Sequence, residues 1–190
     1  QRYSHFNEYH KPQISLNHQW QIDYKSSLST ALYMSIGRGS GYSGQGRTSA
    51  DRNMWKGTNY GVLNTTFRNP DGTFAYDKIQ EMNAASPDGS RMIMSKSNNN
   101  HMWYGLLSTY TNQISKSLEL SAGIDVRYYI GEHNNEIIDL YDGKYYIDDD
   151  SRKNVKAEQN AAAADPNWKY QKLQVGDKVY RDYDGHVHQE

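Results

Sequence analysis

The stretch Leu118-Glu119-Leu120-Ser121-Ala122-Gly123-Ile124-Asp125-Val126-Arg127-Tyr128-Tyr129-Ile130 decides the fold. Every even-numbered residue in it is apolar, while Glu119, Ser121, Gly123, Asp125, Arg127 and Tyr129 occupy the odd positions. An extended backbone sends successive side chains to opposite faces, so this pattern predicts a strand over 118–130 with one apolar and one mainly polar side. The same alternation runs through Ile14, Leu16, His18, Trp20, Ile22 and Tyr24, and resumes in Leu28, Thr30, Leu32, Met34 and Ile36. It predicts strands over 13–24 and 28–38, joined through Lys25-Ser26-Ser27 as an antiparallel hairpin. A fourth strand is predicted over 101–112, linked to 118–130 through residues 113–117. Its parity stays open: Trp103 and Leu107 fall in one set, and Tyr104, Leu106 and Tyr110 in the other.

Composition sets the outer bounds. Among 190 residues, 21 Lys and Arg oppose 22 Asp and Glu, for a net charge of −1. That balance gives no electrostatic drive toward nucleic acid or an anionic membrane surface. Mean hydropathy is −0.98, only 36% of residues are apolar, and no apolar run nears the ~18 that a membrane-spanning helix needs. Without cysteine there is no disulfide framework and no thiolate chemistry. The 17 Tyr, 4 Trp and 3 Phe, with only 4 Pro, argue against simple disorder. A start at Gln1 with no leader-like segment is expected of a mature or processed chain, or of a piece of a longer one.

A strand with a wholly apolar face needs a facing sheet, a packed helix or lipid. The remaining sequence, in loops expected over 39–100 and 131–185, offers no apolar element of matching size. Two short helices are predicted there, around Phe74 to Ala84 and from Ser151 to Ala164. The first lies between the turn sequences Asn69-Pro70-Asp71-Gly72 and Ser86-Pro87-Asp88-Gly89. Lipid remains as the partner. The expected class is therefore all-β: a partial transmembrane antiparallel barrel of two long hairpins, with short turns at one end and two long extracellular loops at the other. Tyr24 and Tyr110 fall near the turn end and Tyr128 near the loop end, where interfacial aromatic girdles belong. Since the smallest such barrels need about eight strands, four strands are expected to be a segment of something larger.

Three phrases carry a family resemblance: Gly37-Arg38-Gly39-Ser40-Gly41-Tyr42-Ser43-Gly44-Gln45-Gly46, then Asn100-His101-Met102-Trp103-Tyr104-Gly105-Leu106-Leu107-Ser108-Thr109-Tyr110, and Val179-Tyr180-Arg181-Asp182-Tyr183-Asp184-Gly185. They resemble the barrel portion of TonB-dependent outer-membrane receptors of Bacteroidetes type. The resemblance implies a barrel of about 22 strands around a plug, an outer-membrane location, and energised import of a nutrient through contact with TonB. The plug and TonB-contacting box are not among these residues and are expected in the parent protein. Surface lipoproteins or other outer-membrane subunits are possible further partners.

The chemical motifs have plainer readings. Gly39-x-Gly41-x-x-Gly44 follows a strand but opens no amphipathic helix, so a flexible strand-to-loop exit is preferred over a nucleotide site. His186-x-His188 supplies two imidazoles without a third ligand, and His18 lies on the apolar face of its strand. Asp139, Asp142, Asp148, Asp149 and Asp150 lack EF-hand spacing and read as a solvated acidic loop, while Asp182 and Asp184 read as turn residues. Asn64-Thr65-Thr66 has the form of a glycosylation acceptor, without weight in a bacterial envelope protein. No nucleophile elbow or acid–base carboxylate pair stands out, so no enzyme, cofactor or metal site is expected. The ligand-contact candidates are Trp55, Tyr60, Trp103, Tyr104, Trp168 and Tyr170, aromatics in or near the loops able to stack on sugars or other polar nutrients. Glu119, Asp125 and Arg127, on the polar strand face, are candidates to line a lumen or meet a plug. Two rival readings are a soluble β-rich, carbohydrate-directed binding module and a structural barrel subunit that transports nothing.

Overall fold

The computed structural model describes residues 5–56, 61–148 and 170–180. These form a mainly antiparallel, open six-stranded sheet with two helices. In chain order the elements are β1 (His5–His10), β2 (Gln13–Gln21), β3 (Ser26–Gly46), α1 (Ser49–Lys56), α2 (Tyr76–Ala85), β4 (Met92–Ser115), β5 (Leu118–Asp139) and β6 (Lys178–Tyr180). Strand order is β1-β3-β4-β5-β6, with β2 also paired to β3. The β2–β3 ladder runs from Gln13↔Ser35 to Gln21↔Ser27. The Ile36 N–H then donates to the Pro12 carbonyl at 3.2 Å, continuing that register past the end of β2. Proline has no N–H to return, which interrupts the strand between β1 and β2.

Asp23 organises the tight turn between β2 and β3. Its Oδ1 accepts from the backbone N–H groups of Lys25 and Ser26, both at 2.7 Å, and from the Ser26 hydroxyl at 2.9 Å. An aspartate folded back onto the following amides is a standard means of closing a turn. The Lys25 N–H, then the Ser26 hydroxyl, hold its carboxyl below the usual value.

The strands outrun the expected bounds. The first is shorter at its turn end and gains β1 upstream, while the other three become Ser26–Gly46, Met92–Ser115 and Leu118–Asp139. The ends of what the sequence suggested as loop over 39–100 and 131–185 are thus strand, over 39–46, 92–100, 131–139 and 178–180, including the glycine-rich stretch read as a flexible exit. The glycines serve close approach in this strand: a Cβ at Gly37 would collide with the His101 ring, and one at Gly44 with the Trp55 indole. The helix expected around Phe74 to Ala84 is α2, whereas the one expected over 151–164 lies outside the described residues. The helix α1 was unforeseen. It starts on a capping box in which Thr48 Oγ1 accepts from the Asp51 N–H at 3.1 Å and Asp51 Oδ2 accepts from the Thr48 N–H at 3.3 Å.

The chain divides into two compact units. The hairpin unit comprises Tyr9–Gly39 and Asn100–Gly131, and the core unit comprises the rest. In the core unit both faces of the strands are covered, since the neighbours Met92 and Ile93 are each fully buried in different clusters. Met92 and Met94 join Trp55, Phe67, Ile79 and Tyr141, while Ile93 joins Ile137, Leu140, Tyr146, Leu173 and Val179. Two buried polar side chains tie these layers. Asp51 accepts from Arg91 Nε at 3.0 Å and Nη2 at 2.6 Å. Asn83 uses its full capacity, donating to the Met92 and Leu140 carbonyls at 2.7 and 3.0 Å and accepting from the Arg91 and Met92 N–H groups at 2.9 and 3.3 Å.

Replacing Asn83 by Leu leaves those buried backbone groups unpaired, each an unmet desolvation cost. The expected result is a loss of about 3 kcal/mol in the core unit, read as faster hydrogen exchange at the Arg91 and Met92 amides. Unchanged protection there would show that other groups replace the amide. Because the folded Asp23 carboxyl lies below its unfolded value, its contribution to the turn is present above the unfolded value and fades as pH falls through the lowered one. Carboxyl NMR of Asp23 should give a midpoint below that of an unstructured aspartate, with Lys25 and Ser26 amide exchange rising over the same acid range.

Candidate functional site

The hairpin unit presents two chemically opposed faces. On one, Ile14, Leu16 and Trp20 of β2, Leu32 of β3, and Leu118, Leu120, Ile124, Val126 and Tyr128 of β5 are about half exposed or more. The β2–β3 register sets Ile14 opposite Met34, Leu16 opposite Leu32 and Trp20 opposite Leu28. β4 joins with its even residues, for Thr30 Oγ1 lies 3.0 Å from Ser108 Oγ and Asn112 Nδ2 donates to Ser26 Oγ at 3.4 Å. Tyr104 and Leu106 accordingly line a shallow apolar groove with Ile14, Leu16, Leu32, Met34, Val126 and Tyr128. The parity left open by the sequence is thereby settled: Tyr104 and Leu106 lie on the apolar face, and Trp103 and Leu107 on the other.

The band has a defined height. On β5 it runs from Leu118 to Ile130, with Glu132 next in parity, and Arg38 and Asn100 are the corresponding next residues after Ile36 and Met102. Twelve residue steps of about 3.3 Å make about 40 Å of strand. Trp20, Tyr24 and Tyr110 mark the turn end, and Tyr104 and Tyr128 approach the other. Several polar residues inside the band are hydrogen-bonded to one another, as Thr30 with Ser108 and Asn112 with the Tyr110 hydroxyl at 2.8 Å. His18 sits exposed in this face opposite Thr30.

The opposite face gathers cations and rings. The Arg127 guanidinium lies 5.0 Å from the Trp103 ring centroid, and the Lys11 ammonium lies 4.9 Å from the same centroid. Tyr33 meets Trp103 edge-on at 6.3 Å, and its hydroxyl accepts from Arg127 Nε at 3.1 Å. Gly105 makes room for the Tyr33 ring, where a Cβ would collide. Asp125 is loosely paired with Arg127 at 3.7 Å, both side chains about half exposed. A neighbouring row places His101 between Tyr9, whose hydroxyl is 3.3 Å from Nε2, and a stacked Tyr129.

Trp103, Asp125 and Arg127 thus come together, Trp103 from within β4, the strand predicted over 101–112. Trp55 is corrected outright: it is 1% exposed in the core unit and spends its indole N–H on the Gln45 carbonyl at 2.9 Å, leaving no surface for a ligand. Tyr104 is a strand residue of the apolar face, and Tyr170 is exposed. Glu119 is exposed near the β4–β5 turn, separate in sequence from the cluster. Tyr60, Trp168, Asp149, Asp150, Asp182, Asp184, His186 and His188 lie outside the described residues. Asp139 accepts from the Tyr141 N–H at 2.8 Å, and Asp142 sits at φ 63°, local turn duties both. Among the described residues, no three His, Asp or Glu side chains converge as a metal site. Sequence reasoning missed Lys11 and Tyr33. Their signals were a cation just before the strand-breaking Pro12 and a ring at an odd position between Leu32 and Met34.

No protein-family model matches the chain, and no curated protein is significantly similar to it. No helix among the described residues is long and apolar enough to cross a membrane, a statement without bearing on strands.

Proposed function

We propose that this chain is a segment of the β-barrel of a TonB-dependent outer-membrane receptor that imports a nutrient ligand, without an enzymatic step of its own. The observation carrying this reading is the exposed apolar band of the hairpin unit, backed by a polar face; at the ~45° tilt of barrel strands its length of about 40 Å would span roughly 28 Å, close to the ~25 Å apolar band of membrane barrels. The even faces of β2 to β5 meet lipid, and the odd faces line the interior. The aromatics at the two ends of the band sit at the interfaces, where rings with one polar edge are favoured. The open sheet supports a place within a larger barrel, because unpaired strand edges cannot persist in hydrocarbon. TonB acts on the parent protein through its plug and TonB box, and a surface lipoprotein or other outer-membrane subunit completes the assembly. Nucleic acid has no part in it.

Fractionation of cells expressing the chain with its native flanking sequence tests the location. Recovery in outer membranes, with Trp20 fluorescence quenched by brominated lipid, is the expected result. A soluble, detergent-free monomer that unfolds cooperatively would instead establish the soluble binding-module reading. The two faces also predict opposite outcomes at adjacent residues. Ile124→Arg should weaken membrane folding by about 2–4 kcal/mol, the cost of a cation facing mid-bilayer lipid, whereas Asp125→Asn should leave insertion unchanged. Equal effects at both positions would refute the assignment of faces.

A further inference from the structure

Around Trp103, on the polar face of the hairpin unit, two cations, Lys11 and Arg127, meet one carboxylate, Asp125. Among the described residues, Lys11 has no carboxylate partner; its ammonium rests on the Trp103 ring. Arg127 commits Nε to Tyr33 and meets Asp125 only at 3.7 Å, so most of its donor fork is open. The Trp103 Nε1–H is shielded from solvent and has no hydrogen-bond acceptor. Native proteins seldom leave such a donor unmet, because its desolvation goes uncompensated. Two cations and an orphan N–H around one indole therefore share a single need, a concentrated acceptor.

We propose that Lys11, Arg127 and Trp103 form a binding site for an oxyanion group, a carboxylate or phosphate. The guanidinium fork offers two parallel N–H donors to such a group, and the ammonium supplies a second, mobile charge. Tyr33 fixes the orientation of the fork through Nε, and Gly105 keeps the Tyr33 ring seated against the strand. Cation–π contact holds both cations at the site without a strong internal ion pair that a ligand would have to break. The oxyanion supplies the acceptor that the Trp103 N–H lacks. Asp125 is the local competitor, paired with Arg127 at 3.7 Å and accepting from the Tyr33 hydroxyl at 3.5 Å. The site belongs to the polar face alone and stands whether or not the opposite face meets lipid.

Indole ¹⁵N–¹H NMR of the full chain in detergent, with Trp103→Phe to assign the signal, tests the proposal. Inorganic phosphate and citrate, added at constant ionic strength, are expected to shift the Trp103 indole saturably. Lys11→Gln and Arg127→Gln should each weaken binding about tenfold, Arg127→Lys should recover part of it, and Asp125→Asn should tighten it. A merely structural ring cluster would not tighten on losing Asp125. Loss of the shift counts only where β4 amide protection matches the wild-type chain; Lys116→Gln, in the β4–β5 turn, should bind as wild type does. Absence of a saturable shift with either anion, or an undiminished shift in a folded Arg127→Gln, overturns the proposal. In the parent protein, a retained response identifies a free solute as the source. An indole already at the bound position and indifferent to phosphate identifies a carboxylate of the polypeptide itself.

Discussion

The rest of the structure depends on one constraint: the even-numbered face of the hairpin unit is apolar, and nothing within that unit covers it. Roughly ten half-exposed side chains, each with about 1 kcal/mol of burial still to gain, leave on the order of 10 kcal/mol unrealised. That is comparable with the entire net stability of an ordinary domain, about 5–15 kcal/mol. A face of that size needs a partner, and its chemistry limits the choice. It is one strand-layer thick, closed at one end by short polar turns, and ends at the other where Arg38, Asn100 and Glu132 take over its parity. That bounded height, shared by several strands, is what the proposed lipid partner rests on.

The core unit meets the same demand by internal packing. There Met92 and Met94 point into one cluster and Ile93 into another, so alternation no longer separates apolar from polar. Helices without a strong apolar stripe of their own suffice, because few anchors do the packing. Trp55 lies flat on Gly44, Ile79 is fully buried, and Asn83 and Asp51 replace backbone ladders where the chain leaves regular structure. Buried polar groups are tolerated here because each is satisfied, in keeping with the high cost of leaving one unpaired.

This contrast explains what was legible in the sequence. The two hairpins, their faces and the β2–β3 pairing could be read because a half-exposed sheet writes its geometry as strict alternation. The ends of the strands could not. Beyond Gly37, glycines chosen to admit the His101 and Trp55 rings look like a loop, and beyond Asn100 the polar run Lys96 to Asn99 carries no contrast between faces. The position of Trp55 was hidden for a related reason: its burial depends on Phe67, Phe74 and Tyr141, partners distant in sequence. The capping box of Thr48 and Asp51 was a local signal and could have been found.

The parity of β4 shows how the two faces constrain each other. Read alone, Trp103-Tyr104-Gly105-Leu106-Leu107 has large apolar residues in both sets, and neither can be preferred. Once the Thr30–Ser108 contact joins the strands, Tyr104 and Leu106 must share the band, and Trp103 is forced to the polar side with Arg127 and Lys11. An indole is well suited to that place, since its ring face attracts cations while its N–H donates to an acceptor. Leucine at the same position would satisfy packing but hold neither cation. The aromatic residue that blurred the strand's alternation is thus the one that Lys11 and Arg127 share on the polar face, and the ambiguity in the sequence came from a large ring placed against cations.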